Sequence, residues 1–462
     1  MTTRRTFLRH STLGVAGATV MPGRTLLNVQ ETDQLKVGVA REIITPKLGG
    51  LFMGYGSDVP STAVHDDLTA TAIAISYGKT KVLLMSATLC LISNSLTAKI
   101  RKLCGEAAGV PEAHVILSTT HTHSGPITTD NVDTSNVDND YCSEILIPKC
   151  VAVAKAAVEE MKYAKVGVAK TNSLVGINRR QLLPNDRVIL GQNPWGPYDS
   201  EMTVISFRGD DDKSFANIVH CTAHCTAAGI NTEVSRDWAG VMIDRLEQES
   251  GAITMFINGL EGDVAPRMAN GASIGDMNHA MEVGGVAALD AVRAYKDIRD
   301  YRDEKMSVAT GDVKLPHAPL MPLEEARKEL ARLEARPQAR FSGSTIRVLK
   351  TNIELHERGE TGESFFVYPQ TLINIGSIVM IPVPFEASSE ISLRMRTYSK
   401  YGHTLPLGCT NGSNSYLPSQ DQICRGGYEI DRFKWSGARQ LADNADTHLV
   451  SENIKLMENL ST

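Results

Sequence analysis

The spacing of apolar positions changes along the chain, recurring every second residue in some stretches and every three or four in others. Residues 35–40 (Leu-Lys-Val-Gly-Val-Ala) read as a strand. Thr69–Ser76 alternates polar and apolar positions, turns at Gly78-Lys79-Thr80 and returns through Val82–Met85, a hairpin pattern. Ser93 or Asn94 is placed to cap a helix that runs to about Ala108 and is ended by Gly109 and Pro111. A strand over His114–Ser118 leads into a polar loop. Helical spacing covers Asp140–Lys162, and Val166–Ala169 is a strand. Strands at 202–207 and 216–221, a helix at 237–249, a strand at 253–257 and a helix at 278–295 follow. The run 323–335 is a charged surface helix, 364–381 reads as paired strands, and helices at about 388–399 and 435–458 close the chain. The least regular stretch, about 297–350, reads as an excursion between two halves of one domain.

Strands and helices alternate with no repeat period and no low-complexity linker. That order predicts an α/β fold: a single large domain over 35–462, its mixed β-sheet flanked by helices. Length alone, 462 residues at roughly 150 per domain, suggests about three domains; the continuous alternation favours one. A 42% hydrophobic content suffices for a full core. Basic residues number 47 against 53 acidic, a net charge of −6 with no long run of either sign. A nucleic-acid binder needs a basic stripe, so nucleic acid is excluded as a partner, and a small molecule or lipid is expected.

The first thirty-four residues read as separate from the fold. Thr3-Arg4-Arg5-Thr6-Phe7-Leu8-Arg9, followed by the mildly apolar Leu13–Met21, is the pattern of a twin-arginine export signal. Residues 1–34 are accordingly expected to be signal and short linker, with cleavage between 21 and 35 and a periplasmic or secreted bacterial product. Residues 1–30 carry four arginines and no acid, so their removal takes the net charge from −6 to −10. No segment reaches the ~20 consecutive apolar residues of a membrane span. An exported protein can form disulfides, yet none of the eight cysteines lies in a Cys-x-x-Cys pair. Bridges and buried free thiols are both compatible with that spacing.

Candidate chemistry clusters after the strands. Ser118-Thr119-Thr120-His121-Thr122-His123-Ser124-Gly125-Pro126 follows one strand directly. In extended backbone, residues two apart share a face, so His121 and His123 can converge on one point. Imidazole is both a common metal ligand and the side chain that titrates near neutrality. Val219-His220-Cys221-Thr222-Ala223-His224-Cys225 ends another strand, and either His220 or His224 is a ligand candidate, with a structural core histidine as the alternative. Asn258-Gly259-Leu260-Glu261-Gly262-Asp263-Val264-Ala265-Pro266-Arg267 reads as a shaped loop. Glu386, in Pro382-Val383-Pro384-Phe385-Glu386, is either a functional carboxylate or simply a favourable charge at a helix N-terminus. Asn411–Pro418 and Gly426-Gly427-Tyr428-Glu429 complete the set.

In order along the chain these motifs resemble the catalytic domain of the neutral/alkaline non-lysosomal ceramidase family. The resemblance begins with Val37–Pro46, Met53-Gly54-Tyr55 and His65-Asp66-Asp67-Leu68. It continues through Thr120–Pro126, Gly176-Ile177-Asn178-Arg179, His224, Asp237-x-x-Gly240, Gly262-Asp263-Val264-x-Pro266, Pro384-x-Glu386 and the Tyr416/Tyr428 pair. It implies one Zn2+ per chain held by His121, His224, Glu386 and Tyr416, with a zinc-activated water that cleaves an amide (N-acyl) or ester bond. It further implies His123 as the acid/base for the leaving group, Tyr428 as a donor to the developing oxyanion and Arg179 in the pocket wall. Asp263 is implied to lie in the loop that shapes the site and to hold a ligand histidine in its tautomer.

Two departures bear on substrate. Ala265 replaces the serine of the family's Gly-Asp-Val-Ser-Pro loop, and the sequence stops at Thr462 without the family's C-terminal immunoglobulin-like domain. Together they open the substrate range from ceramide to smaller amides, esters or lactones. A two-metal hydrolase built on His121-Thr-His123, of amidohydrolase or phosphoesterase type, and a non-catalytic binding or structural descendant are the rival readings.

Overall fold

The computed structural model describes residues 33–55, 59–129, 137–335, 342–360, 364–435 and 439–460. The export-signal reading of residues 1–34 falls almost wholly outside them. Residues Gln34–Thr462 form one unit.

Three main sheets carry the fold. The first has five strands in the order Val115–Thr119, Thr80–Ala87, Thr69–Tyr77, Lys36–Ile43, Lys162–Tyr163. The second has four: Ile253–Asn258, Ser214–Cys221, Glu201–Arg208, Lys165–Asn172. The third also has four: Met306–Pro316, Phe365–Ile375, Ile378–Pro382, His403–Leu407. Alternation along the strands explains their arrangement. Ile73, Ile75, Val82 and Leu84 of the first sheet, Ile205, Phe207 and Ile218 of the second, and Ile373, Ile375 and Met380 of the third share one apolar core. The other face of the first sheet (Ala72, Ala74, Leu83, Met85) is covered by the helices Asn94–Ala108 and Ile147–Glu159. The helices Asp237–Ser250 and Met277–Lys296 back the second sheet, and Ser389–Tyr398 and Ala445–Met457 back the third. Each sheet is therefore buried on both faces, one against its fellows and one against helices.

Each sheet is mostly antiparallel but contains one parallel pair: Thr80–Ala87 with Val115–Thr119, Ser214–Cys221 with Ile253–Asn258, and Ile378–Pro382 with His403–Leu407. Loops leaving the carboxyl ends of parallel strands gather where ligands bind in open α/β sheets. Here those loops contain His121 and His123, His224, Asp263, Glu386 and Tyr416. Short ribbons then tie them together: Gly176–Asn178 with Val264–Pro266, and Glu386–Ala387 in parallel with Tyr416–Leu417, which sets Glu386 opposite Tyr416.

The mixed α/β architecture agrees with the sequence pattern, and the cap at Ser93 forms as expected, its side chain accepting from Leu96 N–H before Gly109 ends the helix in left-handed backbone. Three elements differ. The irregular stretch 297–350 contains an eleven-residue strand, Met306–Pro316, which Gly311-Asp312 at its centre disguised as a turn. It also contains a second helix, Ser342–Glu357, whose Ile346, Leu349 and Ile353 pack against Leu330 and Leu333 of the helix Leu323–Glu334. The single closing helix over 435–458 is replaced by Tyr428–Trp435 and Ala445–Met457. Between them, backbone bonds from Ala318 to Gln440 and from Ala442 to Pro316 take the chain to the third sheet. All eight cysteines are free thiols, seven buried and Cys424 exposed. Among the described residues no helix is long and apolar enough to cross a membrane.

Gly262 shows how tightly the ribbons meet. Its N–H donates to Ala387 O at 2.8 Å, and a Cβ there would overlap the carbonyls of Glu386 and Ala387. Gly262→Ala is expected to lower unfolding free energy in urea by about 1–3 kcal/mol, the usual overpacking cost. A midpoint equal to that of the parent chain would show that the ribbon yields freely.

Candidate metal centre

His121 leaves its strand in left-handed backbone, φ 68°, so the extended run expected through His121-Thr122-His123 is broken at its first histidine. The turn is held by the His121 N–H bond to Leu89 O, 2.9 Å. His121 Nδ1 lies 3.1 Å from Cys90 O. A carbonyl only accepts, so Nδ1 carries the proton and Nε2 presents a lone pair.

His224 is fixed in the same way from a different loop. Its Nδ1 lies 2.9 Å from Glu261 O and 3.0 Å from Val264 O. Trp238 Nε1 donates to His224 O at 2.9 Å, and the Asp237 carboxylate accepts from Ala227 and Ala228 N–H. The Asp237-x-x-Gly240 motif thus anchors the loop that carries the ring. His220, the other candidate in that segment, stays in the strand as a core histidine, with Nε2 2.8 Å from Pro406 O and away from Glu386.

Both Nε2 atoms face one carboxylate oxygen. Glu386 Oε2 is 3.5 Å from His121 Nε2 and 3.4 Å from His224 Nε2, and it is buried with no hydrogen-bond partner. Burial raises the Glu386 carboxyl, but the adjacent His121 and His224 rings outweigh that and hold it well below the ordinary carboxylate range. His224 is pushed down to about 3 by burial and by Arg179, so it is a neutral ring. Two imidazole nitrogens and an unpartnered carboxylate oxygen thus converge on one point, which is the donor set of a cation site. His121, His224 and Glu386 form a group able to hold a metal ion. The residues present therefore fit a zinc-type ion.

Tyr416 closes the group from the partner strand of Glu386. Its hydroxyl accepts from Arg179 Nη2 at 3.1 Å, and its ring stands 5.5 Å from that of Tyr428 in an edge-on pair. Arg179 is buried and spends all three nitrogens locally. Nε donates to Glu429 Oε1 at 2.7 Å, and Nη1 lies 2.9 Å from His224 Nε2. Glu429 also accepts from Arg180 Nη1 at 2.6 Å, so one buried carboxylate anchors two consecutive arginines. A guanidinium only donates, hence Arg179 occupies the same lone pair of His224 that a metal would take.

His123 packs edge-on to Tyr55, centroids 4.8 Å apart, and its ring is 5.0 Å from that of His121. Neither of its nitrogens has a hydrogen-bond partner. Burial, with His121 and His224 nearby, holds its pKa well below the ordinary value. Asp263 departs from expectation. Its carboxylate accepts from Ser389 N–H (2.8 Å), Gln422 Nε2 (2.8 Å) and Asn178 Nδ2 (3.3 Å) and touches neither ligand-type histidine. Main-chain carbonyls fix the tautomers instead, because the loop turns its backbone rather than Asp263 toward the His224 ring. Ala265 is buried in the ribbon opposite Ile177. Sequence reasoning gave no site role to Cys90, which acts through its carbonyl, or to Tyr55 and Glu429, which stood in the quoted motifs. Only Glu429 carried a signal, an acid beside Tyr428 matching the adjacent Arg179-Arg180.

Fold and site together define a mixed α/β protein with a buried two-histidine, one-carboxylate group competent for a metal. In fold it is similar to neutral ceramidase from Pseudomonas aeruginosa, with a TM-score of 0.70 and 17% identity over 94% of this chain and 76% of that one. A structure described as ceramidase complexed with C2 matches equally, TM-score 0.70 and 17% identity over 93% and 76%. The chain therefore has a neutral ceramidase-like fold. No family model matches it, and no curated protein matches its sequence.

Gly54 gives a direct test of how His123 is seated. It adopts φ 116°, and a Cβ would overlap the His123 ring. Gly54→Ala is expected to displace that ring in a crystal structure and to lower stability by about 1 kcal/mol. An unmoved ring would mean that Gly54 does not set its position.

Proposed function

We propose that the chain is a single-zinc hydrolase that cleaves an amide (N-acyl) or ester bond, with an N-acyl lipid as one substrate class and a smaller amide, ester or lactone as the other. The observation that carries this reading is the convergence of His121 Nε2, His224 Nε2 and Glu386 Oε2 on one point, with the carboxylate oxygen buried and unpartnered. These three and the Tyr416 hydroxyl would hold the ion. When bound, zinc supplies Lewis acidity, polarising a carbonyl and making water acidic near neutral pH.

The chain's own residues do the rest. His123, with both nitrogens unengaged beside the centre, accepts a proton from the attacking water and returns it to the leaving nitrogen or oxygen. Arg179 Nη1 lies on the His224 nitrogen that would hold the ion, and Glu429 keeps the guanidinium in the pocket wall as a donor for the substrate carbonyl. Tyr428, edge-on to Tyr416, is the second donor to the developing oxyanion. Asp263 is a positioning residue that ties its loop to Asn178, Ser389 and Gln422. The hydrolase is the domain from residue 35 onward, and residues 1–34 direct twin-arginine export to the periplasm or beyond. Amino-terminal sequencing of periplasmic protein is expected to start between residues 21 and 35; an intact Met1 there would contradict export with cleavage.

The zinc-loaded protein is to be screened for hydrolysis of N-acyl sphingosine, shorter N-acyl amines, simple esters and lactones. Turnover of at least one class is expected, with one zinc per chain. His123→Ala is expected to lower kcat by about 10²–10⁴ while zinc content stays unchanged. Two metals per chain would favour the two-metal reading. Retained activity in a His121→Ala protein that no longer binds zinc would overturn the mechanism.

A further inference from the structure

We propose that the cavity behind Tyr416 is a binding site for an apolar organic anion, a molecule with a hydrocarbon or aromatic body and a carboxylate at one end. The cavity has a volume of about 540 Å³, within the range of small-molecule pockets. Phe365, Phe366, Phe385 and Phe433 form its apolar wall, with Phe366 and Phe385 edge-on at 5.7 Å. Tyr416 belongs to the ribbon that presents Glu386 and Phe385 directly precedes Glu386, so this cavity and the metal-competent centre share a wall.

Its charge is one-sided. Arg347 and Arg439 line it beside His317, and no Asp or Glu does among the described residues. Arg439 Nη1 donates to Ser364 Oγ at 2.5 Å and Nη2 to Ala318 O at 3.2 Å, both neutral acceptors. Its Nε is buried with no hydrogen-bond partner. Arg347, on the helix Ser342–Glu357, has no carboxylate at ion-pair distance among the described residues. A buried guanidinium nitrogen without an acceptor is costly. Elsewhere in this chain the buried arginines Arg179 and Arg180 meet a carboxylate, Glu429. Two arginines with no acid beside them among the described residues, facing a phenylalanine wall, are complementary to a ligand that brings its own carboxylate on an apolar body. Neither an uncharged lipid nor a cationic amine satisfies both halves. The inference goes beyond hydrolysis and does not depend on zinc.

Calorimetric titration of the full chain with octanoate, octanol and octyltrimethylammonium tests it, with and without zinc. One octanoate per chain is expected, about tenfold tighter than octanol and independent of zinc, with no binding of the ammonium. Arg347→Gln and the double variant Arg347→Gln/Arg439→Gln are expected to weaken octanoate stepwise, to about tenfold in the double, while octanol affinity is unchanged. Arg347 is exposed and engaged by no described carboxylate, so its variant folds even if loss of Arg439 proves disruptive. Equal affinity for octanoate and octanol, or octanoate binding unchanged in Arg347→Gln, would overturn the proposal. So would octanoate binding that requires zinc and disappears in His121→Ala, which would place the anion on the metal instead.

Discussion

Main-chain carbonyls decide what this site can be. Cys90 O and the paired oxygens of Glu261 and Val264 take the Nδ1 protons of His121 and His224, so both rings turn unprotonated Nε2 atoms toward Glu386. Without those acceptors either ring could protonate on its inner nitrogen and neutralise the carboxylate with an ordinary hydrogen bond. Backbone carbonyls cannot reverse their role as a titrating carboxylate can. The tautomers are therefore fixed by the fold itself, and both Nε2 lone pairs face the centre, the one on His224 accepting from Arg179 Nη1.

That fixation depends on the topology. Each of the three sheets turns one parallel pair toward the same region, and the loops beyond those strands supply the site from five places in the sequence. The loops hold one another: Asp263 ties the 258–266 loop to Ser389 and Gln422, Asp237 clamps the loop of His224, and Trp238 both donates to His224 O and packs edge-on against Phe256 at 5.3 Å. Such an aromatic pair contributes roughly 0.5–1.5 kcal/mol beyond its buried area. Arg179 completes the design as a resident cation whose place on His224 Nε2 an incoming metal must take.

Much of this was legible in one dimension, for identifiable reasons. Alternation over Thr69–Met85 and caps such as Ser93 and Gly109 are local signals, and the α/β class follows from them. Met306–Pro316 was hidden because Gly311-Asp312 mimics a turn, and its partner Phe365–Ile375 lies beyond an intervening helix pair in the sequence. At the site, the order of histidines, glutamate and tyrosines supplied the cast, and the structure brings His121, His224, Glu386, Tyr416 and Arg179 together. The choice between His220 and His224 rests on which side of a strand end each ring leaves, and Pro406 O settles it for His220. The role assigned to Asp263 failed because a sequence displays side chains, whereas the groups that orient these rings are carbonyls, which every residue possesses.

A zinc ion bound as proposed would be held through nitrogen and oxygen alone, even though Cys90 and Cys409 have sulfurs 4.0 and 3.7 Å from His121 Nδ1. X-ray absorption at the zinc edge on the purified, zinc-loaded chain tests it most directly. The account predicts one zinc with two imidazole nitrogens and oxygen ligands at about 2.0–2.2 Å, and no sulfur shell. A zinc–sulfur distance near ~2.3 Å, or no stoichiometric zinc at all, would contradict it.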